Sequence, residues 1–254
     1  MTSGDAFEPD QRHAANATSF GSAADVYERG RPSYPAEAVE WLLPEGAQHV
    51  VDLGAGTGKL TRLLVERVPR VTAVEPSEKM RETLIRAVPE AQALPGSAER
   101  MPVDGESADA IFAAQAWHWV DPERAVPEAA RVLKPGGVLA LLWNIRDTST
   151  PWAAALDEII DAASESELES EDPRVGPPFL PVERRDFAWV NPMTHDEVVA
   201  MVASRSYVIT LPEAEREAQL ARVRELLDTH PDTAGRATVD LPYVTRCSRA
   251  VLPA

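Results

Sequence analysis

Residues 50–58 read Val-Val-Asp-Leu-Gly-Ala-Gly-Thr-Gly, two β-branched residues running into a carboxylate and then three alternating glycines. Glycine reaches backbone angles closed to other residues and lets a ligand approach the main chain without a Cβ in the way. Beyond the loop, Leu60, Leu63, Leu64 and Val68 recur at helical spacing, one apolar face for packing on a sheet. Strand, glycine loop and helix in that order predict a βαβ unit with a ligand site at its turn. A tight turn that binds nothing has the same order of elements. Three glycines would then weaken the flanking elements without return.

The next residues discriminate between ligands. Val71-Thr72-Ala73-Val74 reads as a second strand ending in Glu75, twenty-one residues beyond Gly54, where a ribose-binding carboxylate belongs. A dinucleotide loop runs G-x-G-x-x-G under a pyrophosphate. Here Lys59 stands in place of the third glycine, and Asp52 would repel a diphosphate of its own sign. A cofactor with a cationic end fits better, and S-adenosylmethionine carries an α-amino group and a sulfonium but no phosphate. An NAD(P)-dependent oxidoreductase is correspondingly disfavoured. Pro76 and Met80 offer an apolar face for adenine, or ordinary packing. Glu99 has the chemistry to accept from an adenine amino group, and the Ala98 amide to reach a ring nitrogen.

Further elements follow: a strand over Ala108 to Ala114, a helix over Pro122 to Leu133, the turn Lys134-Pro135-Gly136-Gly137 and a strand over Val138 to Trp143. Proline then glycine is what a type II turn takes at its central positions. Alternating strands and helices predict a parallel sheet covered on both faces.

The chain resembles the class I S-adenosylmethionine-dependent methyltransferases of the broad methyltransferase type 11 group. The resemblance rests on residues 51–58, on Val74-Glu75-Pro76-Ser77 with Met80, on Gly96 to Pro102 and on Arg131 to Gly137. Ala24 to Pro35, Ala116 to Asp121, Ser206-Tyr207 and Leu241 to Thr245 are similar to the branch that includes trans-aconitate methyltransferase-like proteins. The resemblance implies an α/β, Rossmann-like, doubly wound sheet of seven strands, mostly parallel with an antiparallel last strand, plus a small C-terminal helical lid. It also implies that Asp52, Gly54, Ala55, Gly56 and Gly58 hold the methionine part of the cofactor and Glu75 the ribose. Where many relatives carry an aspartate against adenine this chain has Ser97, which shifts the expected contact to Glu99. Ala114, at the end of its strand, joins the expected cofactor site. The product side is S-adenosylhomocysteine.

The organisation expected is a flexible tail over 1–19, a cofactor-binding core over 20–150, a helical substrate lobe over 151–236 and a closing strand of the core sheet over 237–254. Trp152 to Ala163 and Pro212 to Leu227 are helix candidates, and Thr194 to Glu197 has capping-box spacing before a helix to Ala203. Arg185 to Val190 reads as a strand. Asp157 to Asp172 holds eight acids and no base, the pattern of a solvated or disordered stretch. Pro242 in the closing strand predicts an edge position.

Composition narrows the partners. A net charge of −16 argues against nucleic-acid and anionic-membrane binding. Cys247 is the one cysteine, which excludes an intramolecular disulfide and fits a reducing cytoplasm. The scattered histidines form no metal constellation. The expectation is a soluble cytoplasmic protein, monomer or homodimer, acting on a small-molecule methyl acceptor.

Methyl transfer is an in-line displacement, so the protein mainly positions its reactants, which can account for roughly 7–11 kcal/mol of barrier. A hydroxyl acceptor needs a general base, whereas a carboxylate is already ionised near neutral pH. His118 follows the strand 108–114 at the carboxyl edge of the sheet and has a suitable unperturbed pKa. It is either a catalytic base or a pocket wall. Trp117 and Trp119 flank it, and with Trp143, Asn144, Arg146 and Tyr207 they are expected to line the acceptor site. Tyr27 and Arg31 are expected to close over the cofactor, although a surface arginine before a proline turn reads equally well. Oxygen is the expected methyl acceptor, N- or C-methylation the enzymatic alternative, and a non-catalytic cofactor-binding module the rival of another class.

Overall fold

The computed structural model describes residues 32–160, 173–205, 208–209 and 211–254. Helix α1 (Ala36–Leu42) leads into strand β1 (His49–Leu53), which is buried along its whole length. Helix α2 (Lys59–Val65), strand β2 (Arg70–Val74), helix α3 (Glu78–Ala87) and strand β3 (Gln92–Leu94) follow. The chain then crosses to the other side of β1 with β4 (Ala108–Ala114), helix α4 (Pro122–Val132) and β5 (Leu133–Arg146). The remaining elements are α5 (Pro151–Ile160), β6 (Glu183–Met193), α6 (His195–Ala203), α7 (Glu213–Thr229) and β7 (Val239–Val251).

One seven-stranded sheet results, in the order β3-β2-β1-β4-β5-β7-β6. All pairs from β3 through β5 are parallel, and β7 lies antiparallel to both β5 and β6. The strand order reverses between β1 and β4, and ligands of open α/β sheets bind at the carboxyl ends of strands beside such a reversal.

Period-two alternation divides the core. Val51, Leu53, Ile111, Ala113, Leu139, Leu141 and Trp143 face α4 on one side of the sheet. Val50, Ala110, Phe112, Val138, Ala140 and Leu142 face α1 and α2 on the other. Asp52 shares parity with Val50, which directs its side chain towards α2. A separate cluster gathers Trp152 and Leu156 of α5, Val198 and Val202 of α6 and Leu220, Val223 and Leu227 of α7 against Met193, Leu241 and Tyr243.

Turn chemistry follows the sequence closely. Gly136 has φ of 79° after Pro135, as a type II turn requires. Asp121 caps α4, accepting from the Glu123 amide at 3.0 Å. Thr194 and Glu197 form the reciprocal capping box of α6.

The structure corrects one expectation and adds an element. Strand β7 is interior, between β5 and β6, and β6 is the edge. Pro242 is accommodated because the β5 ladder has just ended there: Asp147 donates its amide to the Pro242 carbonyl, one residue beyond the Arg146–Tyr243 pair. Strand β3, three residues long at the opposite edge, adds to the strands expected from sequence. The expected tail over 1–19 and the acidic residues 161–172 lie outside the described residues. Among those described, no helix is long and apolar enough to cross a membrane.

Thr194→Ala should lower stability by about 1 kcal/mol, the usual cost of losing such a cap. Chemical denaturation at neutral pH measures it. The Glu197 carboxyl is held below its usual range by the Thr194 amide and hydroxyl. This contribution is therefore present above the unfolded pKa and lost as pH falls through the folded one.

Candidate active site

A crevice opens at the carboxyl ends of β1 and β4, lined by Asp52, Gly54, Ala55, Gly56, Thr57, Lys59, Leu60, Ala114, Gln115 and Asn144 together with Pro32 and Tyr34. The glycine loop forms its floor for identifiable reasons. Gly54, at φ of 67°, passes so close to the β4 turn that a Cβ would stand 2.8 Å from the Ala116 Cβ. At Gly56, with φ of 56°, a Cβ would meet no described atom within 4 Å, so its surface is open to a ligand. Gly58, in the left-handed region, starts α2.

Asp52 is 1% exposed. Its Oδ2 accepts from the Thr61 hydroxyl at 2.6 Å. Burial pushes its pKa up to about 7, the Thr61 hydroxyl opposes that rise, and the nearby Glu75 charge adds to it. The Glu75 charge that acts on it is of its own sign. An acid so placed is suited to receive a cation from a ligand.

Glu75 joins the loop to the next turn. Its Oε2 accepts from the Gly56 amide at 2.9 Å and its Oε1 from the Ser77 amide at 2.8 Å. Burial raises its pKa, and these two amides oppose the rise. A carboxylate offers about four acceptor positions, so two bonds leave room for ligand hydroxyls. Arg81 supports the same turn, donating to the Glu75 and Pro76 carbonyls at 2.8 Å each.

Gly58, Glu75, Pro76, Met80, Ser97, Ala98 and Glu99 lie outside the crevice lining. Met80 and Ala98 are buried, and Pro76 is exposed. Ser97 pairs with Arg100 in a narrow turn that places Ala98 and Glu99 at its tip. Glu99 Oε1 accepts from the Asp121 amide at 3.1 Å, which anchors this turn to the start of α4.

The Trp-His-Trp stretch is a 3-10 turn over Trp117–Trp119. Trp117 is buried in the core, whereas Trp119 is 40% exposed, its ring 4.7 Å from that of His118. The buried Trp143 donates its indole N–H to His118 Nδ1 at 3.3 Å. An indole nitrogen only donates, so Nδ1 is the acceptor and the ring proton of neutral His118 resides on Nε2. Arg146 points towards α5, bound to Asp157 Oδ1 by Nε at 2.8 Å and by its terminal nitrogen at 2.6 Å. Burial and the neighbouring Arg205 guanidinium lower its pKa, while Asp157 opposes the change. Tyr27, Arg31 and Tyr207 lie outside the described residues.

Gln115 lines the crevice without any signal in the sequence. Its φ of 55° is rare for a residue other than glycine, and such strain concentrates at functional sites. Thr61 shows in the sequence only as a member of an amphipathic helix, and Lys59 only as a departure from the dinucleotide loop.

A sequence profile described as a methyltransferase domain matches residues 51–141. An uncharacterised methyltransferase of Mycobacterium tuberculosis is 52% identical over 234 residues, covering 92% of this chain and 96% of the relative. The chain belongs to the class I S-adenosylmethionine-dependent methyltransferases. A trans-aconitate 2-methyltransferase of Paracidovorax citrulli is 29% identical to this methyltransferase over 232 residues, or 79% of this chain and 85% of that one. A solved protein of Anaeromyxobacter dehalogenans, assigned to the type II methyltransferases, shares the fold with a TM-score of 0.64 at 24% identity, covering 88% of this chain and 99% of that one.

Folded Asp52 keeps its proton to higher pH than the unfolded chain, whose value is near 3.8. Its contribution to stability is therefore lost as pH rises through about 7. Asp52→Asn should raise the melting temperature of the ligand-free methyltransferase at about pH 8 and weaken S-adenosylmethionine binding by about tenfold or more. Calorimetric titration and thermal unfolding of one preparation check both halves.

Proposed function

We propose that this methyltransferase acts on an oxygen of a small molecule, a carboxylate in preference to a hydroxyl, producing a methyl ester and S-adenosylhomocysteine. The observation that carries the cofactor half is Asp52, an acid buried at the foot of an open glycine loop, where a cationic amino-acid head meets its charge requirement. Gly54, Ala55 and Gly56 leave main chain bare for the methionine portion, and Gly58 starts the helix behind it. Glu75, with lone pairs left over from Gly56 and Ser77, would hold the ribose hydroxyls. Pro76, Met80, Ser97, Ala98 and Glu99 would hold the adenine, and Ala114 would complete the cofactor site. The bound cofactor supplies a methyl group already activated by its sulfonium.

What the chain adds is orientation and exclusion of water. Helices α5, α6 and α7, which pack together against Met193, Leu241 and Tyr243, are proposed as the lid. Trp117, Trp119, Trp143 and Arg146 are assigned to the acceptor side. Arg146 and Arg205 stand close enough for each to feel the other's charge, and an acceptor carboxylate relieves that repulsion.

The His118 tautomer favours a carboxylate for a separate reason. With Nδ1 occupied by the Trp143 indole, Nε2 carries a proton and acts as a donor rather than a base. A hydroxyl acceptor needs proton removal; a carboxylate needs only to be held. The trans-aconitate 2-methyltransferase relative is consistent with an acidic acceptor.

Incubation with isotopically labelled methyl donor and a panel of carboxylic acids, alcohols, phenols and amines tests the reading. Mild alkali should release the label as methanol; alkali-stable product overturns the ester assignment. His118→Gln, which keeps a donor, should retain turnover within about tenfold, while His118→Ala should lose roughly ten- to hundredfold. Equal large losses in both variants would restore the base role.

A further inference from the structure

Asn144 sits near the end of β5, 5% exposed, and lines the crevice. It pairs with Thr245 of β7 across the antiparallel ladder. Its side chain joins two hydrogen bonds of opposite sense. Thr245 Oγ1 donates to Asn144 Oδ1 at 2.6 Å, and Asn144 Nδ2 donates to the Ser33 carbonyl at 2.9 Å. Upstream, the Trp189 indole of edge strand β6 donates to Thr245 Oγ1 at 2.8 Å.

The ends of this relay fix its direction. An indole nitrogen has only a proton to give, and a carbonyl has only lone pairs. Thr245 must therefore accept from Trp189 and pass its own proton onward, which leaves Asn144 its amide nitrogen for Ser33. Thr245 and Asn144 are both buried, so no solvent competes at the centre of the relay. Trp189 is itself held by a stacked contact with Tyr243, centroids 5.3 Å apart and planes at 23°.

The far end of the relay belongs to the crevice. Pro32 and Tyr34, the two neighbours of Ser33, both line it. Residues 32–35 carry no helix or strand, and their two prolines have no N–H to offer a ladder. The Asn144 backbone carbonyl meanwhile accepts from Gln115 Nε2 at 3.1 Å, and Gln115 is a further lining residue. One asparagine thus connects two parts of the lining that are far apart in sequence.

We propose that Asn144 is a positioning residue for the cofactor crevice: its amide, oriented by the Trp189–Thr245 relay, holds residues 32–34 in place as one wall. The strands β6 and β7 thereby act on the cofactor site without touching it. The proposal rests on S-adenosylmethionine being the ligand of the crevice, and the experiment separates the two.

Thr245→Val keeps the shape and removes the hydroxyl; Thr245→Ser restores it. Trp189→Phe keeps the stacked ring and removes only the first donor. Calorimetric titration with S-adenosylmethionine should show affinity about tenfold weaker for Thr245→Val, near wild type for Thr245→Ser and a few-fold weaker for Trp189→Phe. Amide exchange at Ser33 and Tyr34 in the ligand-free protein should accelerate in the same order. Wild-type affinity and unchanged exchange in Thr245→Val and Trp189→Phe would overturn the relay. If Thr245→Val fails to fold, Trp189→Phe decides alone by the same two readings. Absence of binding by the wild-type protein would instead remove the cofactor reading, while the exchange order still decides whether the relay holds the segment.

Discussion

Burying a carboxylate at the end of the central strand costs stability, because the water it loses is replaced only in part by protein donors. Asp52 is in that position, with Thr61 as its bonded partner and a second buried acid, Glu75, close by. Much of the surrounding architecture follows from accommodating this pair. The strand order reverses beside β1, which leaves space at its end. Glycines occupy the loop because Gly54 runs against Ala116 and Gly56 faces the open crevice. Glu75 stays tolerable in the interior by collecting amides from Gly56 and Ser77, and in doing so it fixes the loop to the β2–α3 turn. The ligand-free protein is then less stable than it need be.

The parts of this arrangement that are local in sequence are legible there. The run from Val50 to Gly58, the spacing to Glu75, the turn at Pro135–Gly136 and the capping box at Thr194 each announce themselves within a short stretch, since the physics behind them is short-ranged. The misplacement of β7 has the opposite origin. Pro242 argues for an edge when only its missing N–H is considered, but whether that N–H is needed depends on where β5 stops, far upstream in the chain. Strand β3 is too short to show a period. Gln115, Pro32 and Tyr34 reach the crevice through tertiary packing, which their immediate neighbours in the chain do not encode.

His118 illustrates how a residue type underdetermines its chemistry. Imidazole between two tryptophans is compatible with a base, a donor or a wall. The indole of Trp143, twenty-five residues away, is aimed at Nδ1, and that bond selects the tautomer of the neutral ring. Arg146 also has a structural tie: its bonds to Asp157 join the end of β5 to α5.

The interior location of β7 carries an implication for biogenesis. Its residues, Val239–Val251, follow those of β5 and β6 in the chain, yet they fill the gap between the two. Until they emerge from the ribosome, both neighbouring strands present unpaired edges, a state prone to association with other chains. Completion of the sheet is thus deferred until this segment has been translated, and the nascent polypeptide depends on it to become safe from aggregation.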